Sequence, residues 1–310
     1  MAKKRSEARM APTGPSRRTC GCMQVHHRLL EEVPSFRQRQ VAIEHESNAR
    51  MRTESVARVG PYKIQVVVHV IHNAAAEKIT ATQVKSQIAV LNRDFRAKNP
   101  DKNKVPGVWS GLVADSNIDF ELTTKDPSGN PSTGIVYTPT TKTSFGSDDA
   151  VKATATGGAD PWDPLEYLNI WVCTLGGSLL GYAQFPGGPP STDGVVCLNT
   201  AFGTKGIAAA PFNLGRTTTH EIGHYLNLRH IWGDTPDCSG SDFVADTPNA
   251  ETGNMGKPTF PMISCGNGPN GDMFMNYMDY TDDDSMFMFT PGQVARMHAT
   301  LEGARKSLVT

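Results

Sequence analysis

The feature that most constrains this chain is the run His220-Glu221-Ile222-Gly223-His224, followed six residues later by His230. On a helix, residues four apart lie about 40° apart around the axis, so His220 and His224 share a face and reach one ion. Glu221 stands beside the first ligand, free to act as a base rather than to coordinate. His230 lies about 240° further round a continuous helix than His224. It joins the other two only if the helix stops and the chain turns back. That turn requires positive φ near Asn227, and asparagine is the residue after glycine that tolerates this region best. Three histidines leave one open position on a tetrahedral zinc ion, the arrangement of a catalytic rather than a structural site.

The surrounding chain supports a folded protein with a separate leader. Hydrophobic residues make up 38% and charged residues 20% of the 310 positions, enough apolar material for a core. Length alone suggests about two domains on a prior of ~150 residues each. The net charge of −1 hides two unlike parts. Residues 1–58 carry 12 Lys/Arg against 6 Asp/Glu, and residues 59–310 carry 18 against 25. A basic leader on an acidic body excludes a uniformly basic nucleic-acid binder. No apolar run approaches the ~20 residues that span a membrane. The start is basic but no apolar stretch of a secretory signal follows. Four of the six cysteines lie in the body, and two bridges among them allow three connectivities. The even count suits an oxidising compartment, and reduced buried cysteines fit it equally well.

Periodicity places strands at Tyr62–His72, Ile118–Thr123, Tyr167–Thr174 and Gly194–Leu198, and a helix from Thr80 to Phe95. Thr217–Leu228 reads as the helix that bears the motif. Pro291–Leu301 reads as a last helix, capped by Thr290 with Pro291 in its first turn. One or two helices are expected between 25 and 56. Residues 232–272, rich in Gly, Pro, Asp and Asn, are expected to be irregular. His69 and His72 have no ligand spacing and are read as structural.

A second element lies downstream, Asn276-Tyr277-Met278-Asp279-Tyr280. Together, HEIGHYLNLRHIWGD and NYMDYTDDDSMFMFTPGQVARM resemble the pappalysin family of metzincin peptidases, including its short microbial members, with similarity over residues 62 to 305. Asn227 stands where the wider metzincin pattern has glycine. The resemblance implies an α/β (α+β) fold: a twisted, mostly parallel sheet, an active-site helix, a Met-turn and a C-terminal helix. It implies a propeptide at 1–57 and a catalytic domain at 58–310, whose upper subdomain ends near 226. Met278 becomes the Met-turn methionine, and Tyr280 a candidate stabiliser of the oxyanion. The resemblance further implies disulfides Cys238–Cys265 and Cys173–Cys197. It implies structural calcium near Asp242, Asp246 and Thr247. It puts Asp284 in a pocket selecting Arg or Lys after the cut bond. Arg18-Thr19-Cys20-Gly21 resembles the family's propeptide element, with Cys20 as a thiolate latency switch on zinc.

The expected function is a zinc endopeptidase, made as a latent zymogen, secreted and monomeric, acting on protein or peptide substrates without nucleic-acid or membrane partners. Ala57–Arg58 is the expected activation bond. Two other classes compete: a non-enzymatic zinc protein, which has no use for Glu221, and a hydrolase of non-peptide amides. A peptide-cleavage assay with and without chelator separates them.

Overall fold

The computed structural model describes residues 14–52 and 61–309. The expected activation bond Ala57–Arg58 lies outside the described residues.

The spine of the sheet is β1 (Tyr62–His72), whose valines 66, 67, 68 and 70 are fully buried, as in a strand covered on both faces. On one edge it pairs in parallel with β2 (Ile118–Leu122) and, further along, with β3 (Ile135–Pro139). On the other edge β4 (Leu168–Cys173) is parallel, with Val68 opposite Ile170. Beyond it comes β6 (Val195–Leu198), also parallel. The last strand is β5 (Gly181–Ala183), among the described residues the one antiparallel member, with Gly181 opposite Cys197. The mostly parallel sheet agrees with expectation. β3 and β5 escaped the sequence reading, because β3 is half exposed at the sheet edge and β5 is three residues long.

Helix α1 (Cys22–Glu32) and helix α2 (Phe36–Arg52) belong to the leader. Helix α3 (Ala81–Asp94) starts where Thr80 Oγ1 accepts the Gln83 amide at 3.2 Å, and it buries Val84, Val90 and Leu91. A single-turn α4 (Gly107–Ser110) precedes β2. Helix α5 (Arg216–Tyr225) carries the motif and is buried along its whole length. A two-residue pair, β7 (Met255–Gly256) and β8 (Tyr280–Thr281), ties the irregular segment to the chain after the Met-turn. Helix α6 (Pro291–Glu302) has a full capping box: Thr290 Oγ1 accepts from the Gln293 amide, and Gln293 Oε1 accepts from the Thr290 amide.

Cys238 and Cys265 are bonded, with Cα atoms 5.3 Å apart. The bridge closes a loop in the irregular segment, worth about 3–4 kcal/mol in a chain-entropy account. Cys173 and Cys197 are not bonded, which corrects the second expected disulfide. The register gives the reason. Cys197 lies opposite Val172, so Cys173, one residue on, points to the other face of the sheet. Cys197 Sγ faces α5 instead, 3.4 Å from Thr218 Oγ1.

Candidate active site

Helix α5 ends after Tyr225 in a Schellman motif. The Leu228 amide donates to the Gly223 carbonyl and the Asn227 amide to the His224 carbonyl, both at 2.9 Å, with Asn227 at φ +71°. The reversal expected at Asn227 is therefore the one observed. It brings His230 beside the two helix histidines. His224 Nε2 lies 3.1 Å from both His220 Nε2 and His230 Nε2. Nitrogens bound to one tetrahedral zinc at 2.0–2.1 Å stand ~3.3 Å apart, so this spacing suits that ion.

The opposite ring nitrogens are all held. His220 Nδ1 meets the Tyr277 carbonyl at 2.7 Å, His224 Nδ1 the Leu228 carbonyl at 2.8 Å, and His230 Nδ1 the Asp234 carboxylate at 2.5 Å. Such partners fix ring orientation and tautomer, leaving each Nε2 lone pair aimed at the common point. Burial drives His220 down to about 3. Burial also opposes charge on His230, but Asp234 outweighs it and holds that ring at about 9. Trp232 stacks on His230 with centroids 4.3 Å apart. Neither Asp234 nor Trp232 was singled out from the sequence. The available signal was a carboxylate one helical turn beyond a candidate ligand.

The methionine turn packs against α5 from below. A Cβ on Gly223 would sit 2.3 Å from Met278 Sδ, so the helix approaches Met278 only because position 223 has no side chain. Met278 is fully buried, and the neighbouring Tyr277 carbonyl is the one that holds His220. The Tyr280 ring lies 4.8 Å from His230 and 5.8 Å from His220, centroid to centroid.

Glu221 lies against β5, where Gly181 leaves it room: a Cβ there would come within 2.8 Å of Glu221 Oε1. Burial, and next the nearby Cys20, raise its carboxyl well above the usual range. The leader fills the cleft in front of it. The Leu180 amide donates to the Thr19 carbonyl at 3.0 Å, and the Gly21 amide to the Gly181 carbonyl at 2.9 Å, so Thr19–Gly21 runs parallel to β5. Cys20 Sγ and the three histidines offer ligand atoms within 4.8 Å of one another. Burial opposes the Cys20 thiolate, but Cys22 and the histidines favour it and pull the thiol well below its ordinary range.

Arg18 is buried. Its guanidinium pairs with Asp283 at 2.7 Å, donates to Thr217 Oγ1 and the Thr281 carbonyl, and lies over the Phe212 ring. Asp283 also accepts the Leu214 and Arg216 amides. Asp284, expected in a buried pocket, is instead 42% exposed and paired with Lys257 at 2.5 Å. In an Asp-Asp-Asp run the sequence gives no way to tell which member turns inward.

The residues expected near calcium have the following hydrogen-bond partners. Asp242 accepts from Thr247 Oγ1 at 2.7 Å and from the Val244 amide. Asp246 turns to the start of α6, accepting from Thr290 Oγ1 and the Gly292 amide.

Residues 152–302 match the family described as Pregnancy-associated plasma protein-A. An extracellular metalloprotease of Arthroderma gypseum is 31% identical over 261 residues, covering 81% of this chain and 77% of that protein. Promirolysin of Tannerella forsythia, solved as a mutant, is 44% identical with a TM-score of 0.87, over 94% of this chain and 97% of its own. Mature mirolysin with a cleaved peptide is 48% identical, over 81% of this chain and 97% of its own, at a TM-score of 0.79. The reversed helix end, the histidine trio and the methionine turn thus sit in a chain that belongs to the pappalysin family of metalloendopeptidases.

Proposed function

We propose that this chain is a zymogen of a zinc endopeptidase that acts outside the cell and cleaves before Arg or Lys. The observation that carries the proposal is the convergence of three Nε2 atoms, with Glu221 beside them and the Cys20 sulfur in front. His220, His224 and His230 would hold zinc, with Cys20 as the latent state's fourth ligand. Zinc, when bound, supplies Lewis-acid polarisation of the scissile carbonyl and lowers the pKa of an attacking water.

The chain's own residues do the rest. Glu221 takes the proton of the water and returns it to the leaving amine. The Tyr280 phenol, beside His220 and His230, donates to the developing oxyanion. The edge of β5, now paired with the leader, is free to pair with a substrate backbone once the leader has gone. Arg18 on Asp283 is the model for a substrate's basic side chain: a buried carboxylate satisfied by a guanidinium selects Arg or Lys through the cost of leaving it unpaired. In that reading Asp283 takes the role first expected of Asp284. Relatives named as extracellular metalloproteases support secretion. Peptide substrates are supported by the solved complex of mirolysin with a cleaved peptide.

The test is digestion of a denatured proteome by the processed protein, with cut sites mapped by mass spectrometry. The expected pattern is Arg or Lys on the C-terminal side of the cuts, abolished by chelator and by Glu221→Ala. Retained activity in Glu221→Ala overturns the mechanism; cuts without basic preference overturn the pocket. N-terminal sequencing of self-processed chain should place the new end at Arg58.

A further inference from the structure

The leader carries a second thiol, Cys22, which the Arg-x-Cys-Gly element does not need. Cys22 opens α1 and is fully buried. Its Sγ donates to Glu221 Oε2 at 3.0 Å and accepts the Ala183 amide at 2.9 Å. One neutral thiol has one donor and lone pairs to accept, so both contacts are satisfied together. Cys20 Sγ stands 3.3 Å from the same Glu221 oxygen and faces the histidines, and it also accepts the Cys22 amide. The short backbone between Cys20 and Cys22 lies on β5, so both sulfurs are delivered by one paired segment.

We infer that Cys22 is a second latch of the latent state, holding the carboxylate of Glu221 while Cys20 occupies the metal position. The inference rests on the latency reading and adds a distinct claim: base and metal are blocked by different thiols. An open β5 edge and a free Glu221 are both needed for cleavage, and Cys22 removes the Ala183 amide and the base at the same time.

The test measures initial rates of intact, unprocessed chain on a short quenched peptide. Cys22→Ala should raise basal activity roughly tenfold, the scale of a lost hydrogen bond to a charged group. Cys22→Ser, which keeps a donor and an acceptor, should stay as latent as wild type. Cys20→Ala should raise basal activity as well, but not to the level of processed enzyme, because Cys22 still holds Glu221. A silent Cys22→Ala beside an active Cys20→Ala overturns the second latch alone. Equal activation by Cys22→Ser also overturns it, since lost packing then opens the cleft. Full activity of intact wild type overturns the latency reading instead.

Alkylation by iodoacetamide gives a readout independent of activity and of the Cys22 variants. Glu221→Gln keeps an acceptor oxygen and Glu221→Ala removes it, and neither self-processes. Cys22 should be modified faster, by about tenfold, in Glu221→Ala than in Glu221→Gln, with Cys20 protected in both. Equal Cys22 rates overturn the latch; a freely modified Cys20 in both overturns latency through the metal position.

Discussion

At φ +71° Asn227 ends α5 and lets the chain double back to His230. A left-handed residue costs most side chains roughly 1–2 kcal/mol and glycine almost nothing. Asn227→Gly should therefore leave melting temperature and zinc content close to wild type. Asn227→Val should lower both, with zinc loss read by atomic absorption, because the third histidine then loses its position. His69 shows the opposite case, a histidine whose chemistry is structural. Its Nε2 meets Asn169 at 2.9 Å and its ring stacks on Trp171 at 5.2 Å. Burial lowers its pKa to about 4. The folded state thus holds it neutral while the unfolded chain protonates near 6.5. Its contribution is fully present above 6.5 and is lost as pH falls through 4. The shift corresponds to about 3 kcal/mol. His69→Gln keeps a donor for Asn169 and does not titrate. Denaturation curves should show the gap between it and wild type moving against wild type as pH drops from about 7 to about 4.

The elements differ in how much of them local sequence specifies. Helix α6 is legible in its first residues: Thr290, Pro291 and Gln293 form the capping box, and Asp246 adds to it from outside. Thr290 Oγ1 also donates to Asp246 at 2.6 Å. Thr290→Ala should cost about 1–2 kcal/mol, a fall of roughly 2–8 °C in melting temperature by calorimetry. Strand β5 carries almost no local signal in Gly181-Tyr182-Ala183, yet it borders Glu221 and pairs with the leader. Its strand state comes from β6 on one side. Helices α1 and α2 were legible as helices, but their seat was not. Fully buried Arg296 joins α2 to the site, donating to Glu44 and, at 2.6 Å, to the Asn227 carbonyl.

The net charge of −1 resolves into a cationic leader and an anionic body, and the described part of the leader, residues 14–52, lies on that body. Buried or partly buried pairs mark the docking: Arg18 with Asp283 at 2.7 Å and Arg28 with Asp149 at 2.5 Å. The four clustered groups, Cys20 and the three histidines, come from the leader, α5 and the turn after it, so an ion bound there would link parts distant in sequence. A ligand that binds only the folded state stabilises it by mass action. Chelation of the intact chain should lower its melting temperature by about 4 °C or more, zinc should restore it, and His230→Ala should blunt both changes. An unchanged melting temperature on chelation would argue that the cluster holds no ion.

The sequence by itself determined the histidine trio with Glu221 beside it, the reversal at Asn227, strands β1, β2, β4 and β6, and the capped last helix. Those features depend on periodicity, spacing and backbone preference, which act over a few residues. Only the tertiary structure decided that Asp283 is fully buried while Asp284 faces solvent, that Cys173 and Cys197 face opposite sides of the sheet, and that Asp242 and Asp246 serve different partners. Only it decided that Cys22 reaches Glu221, 199 positions away. Such contacts depend on strand register and on which surfaces meet, and neither is encoded in the residues next to them.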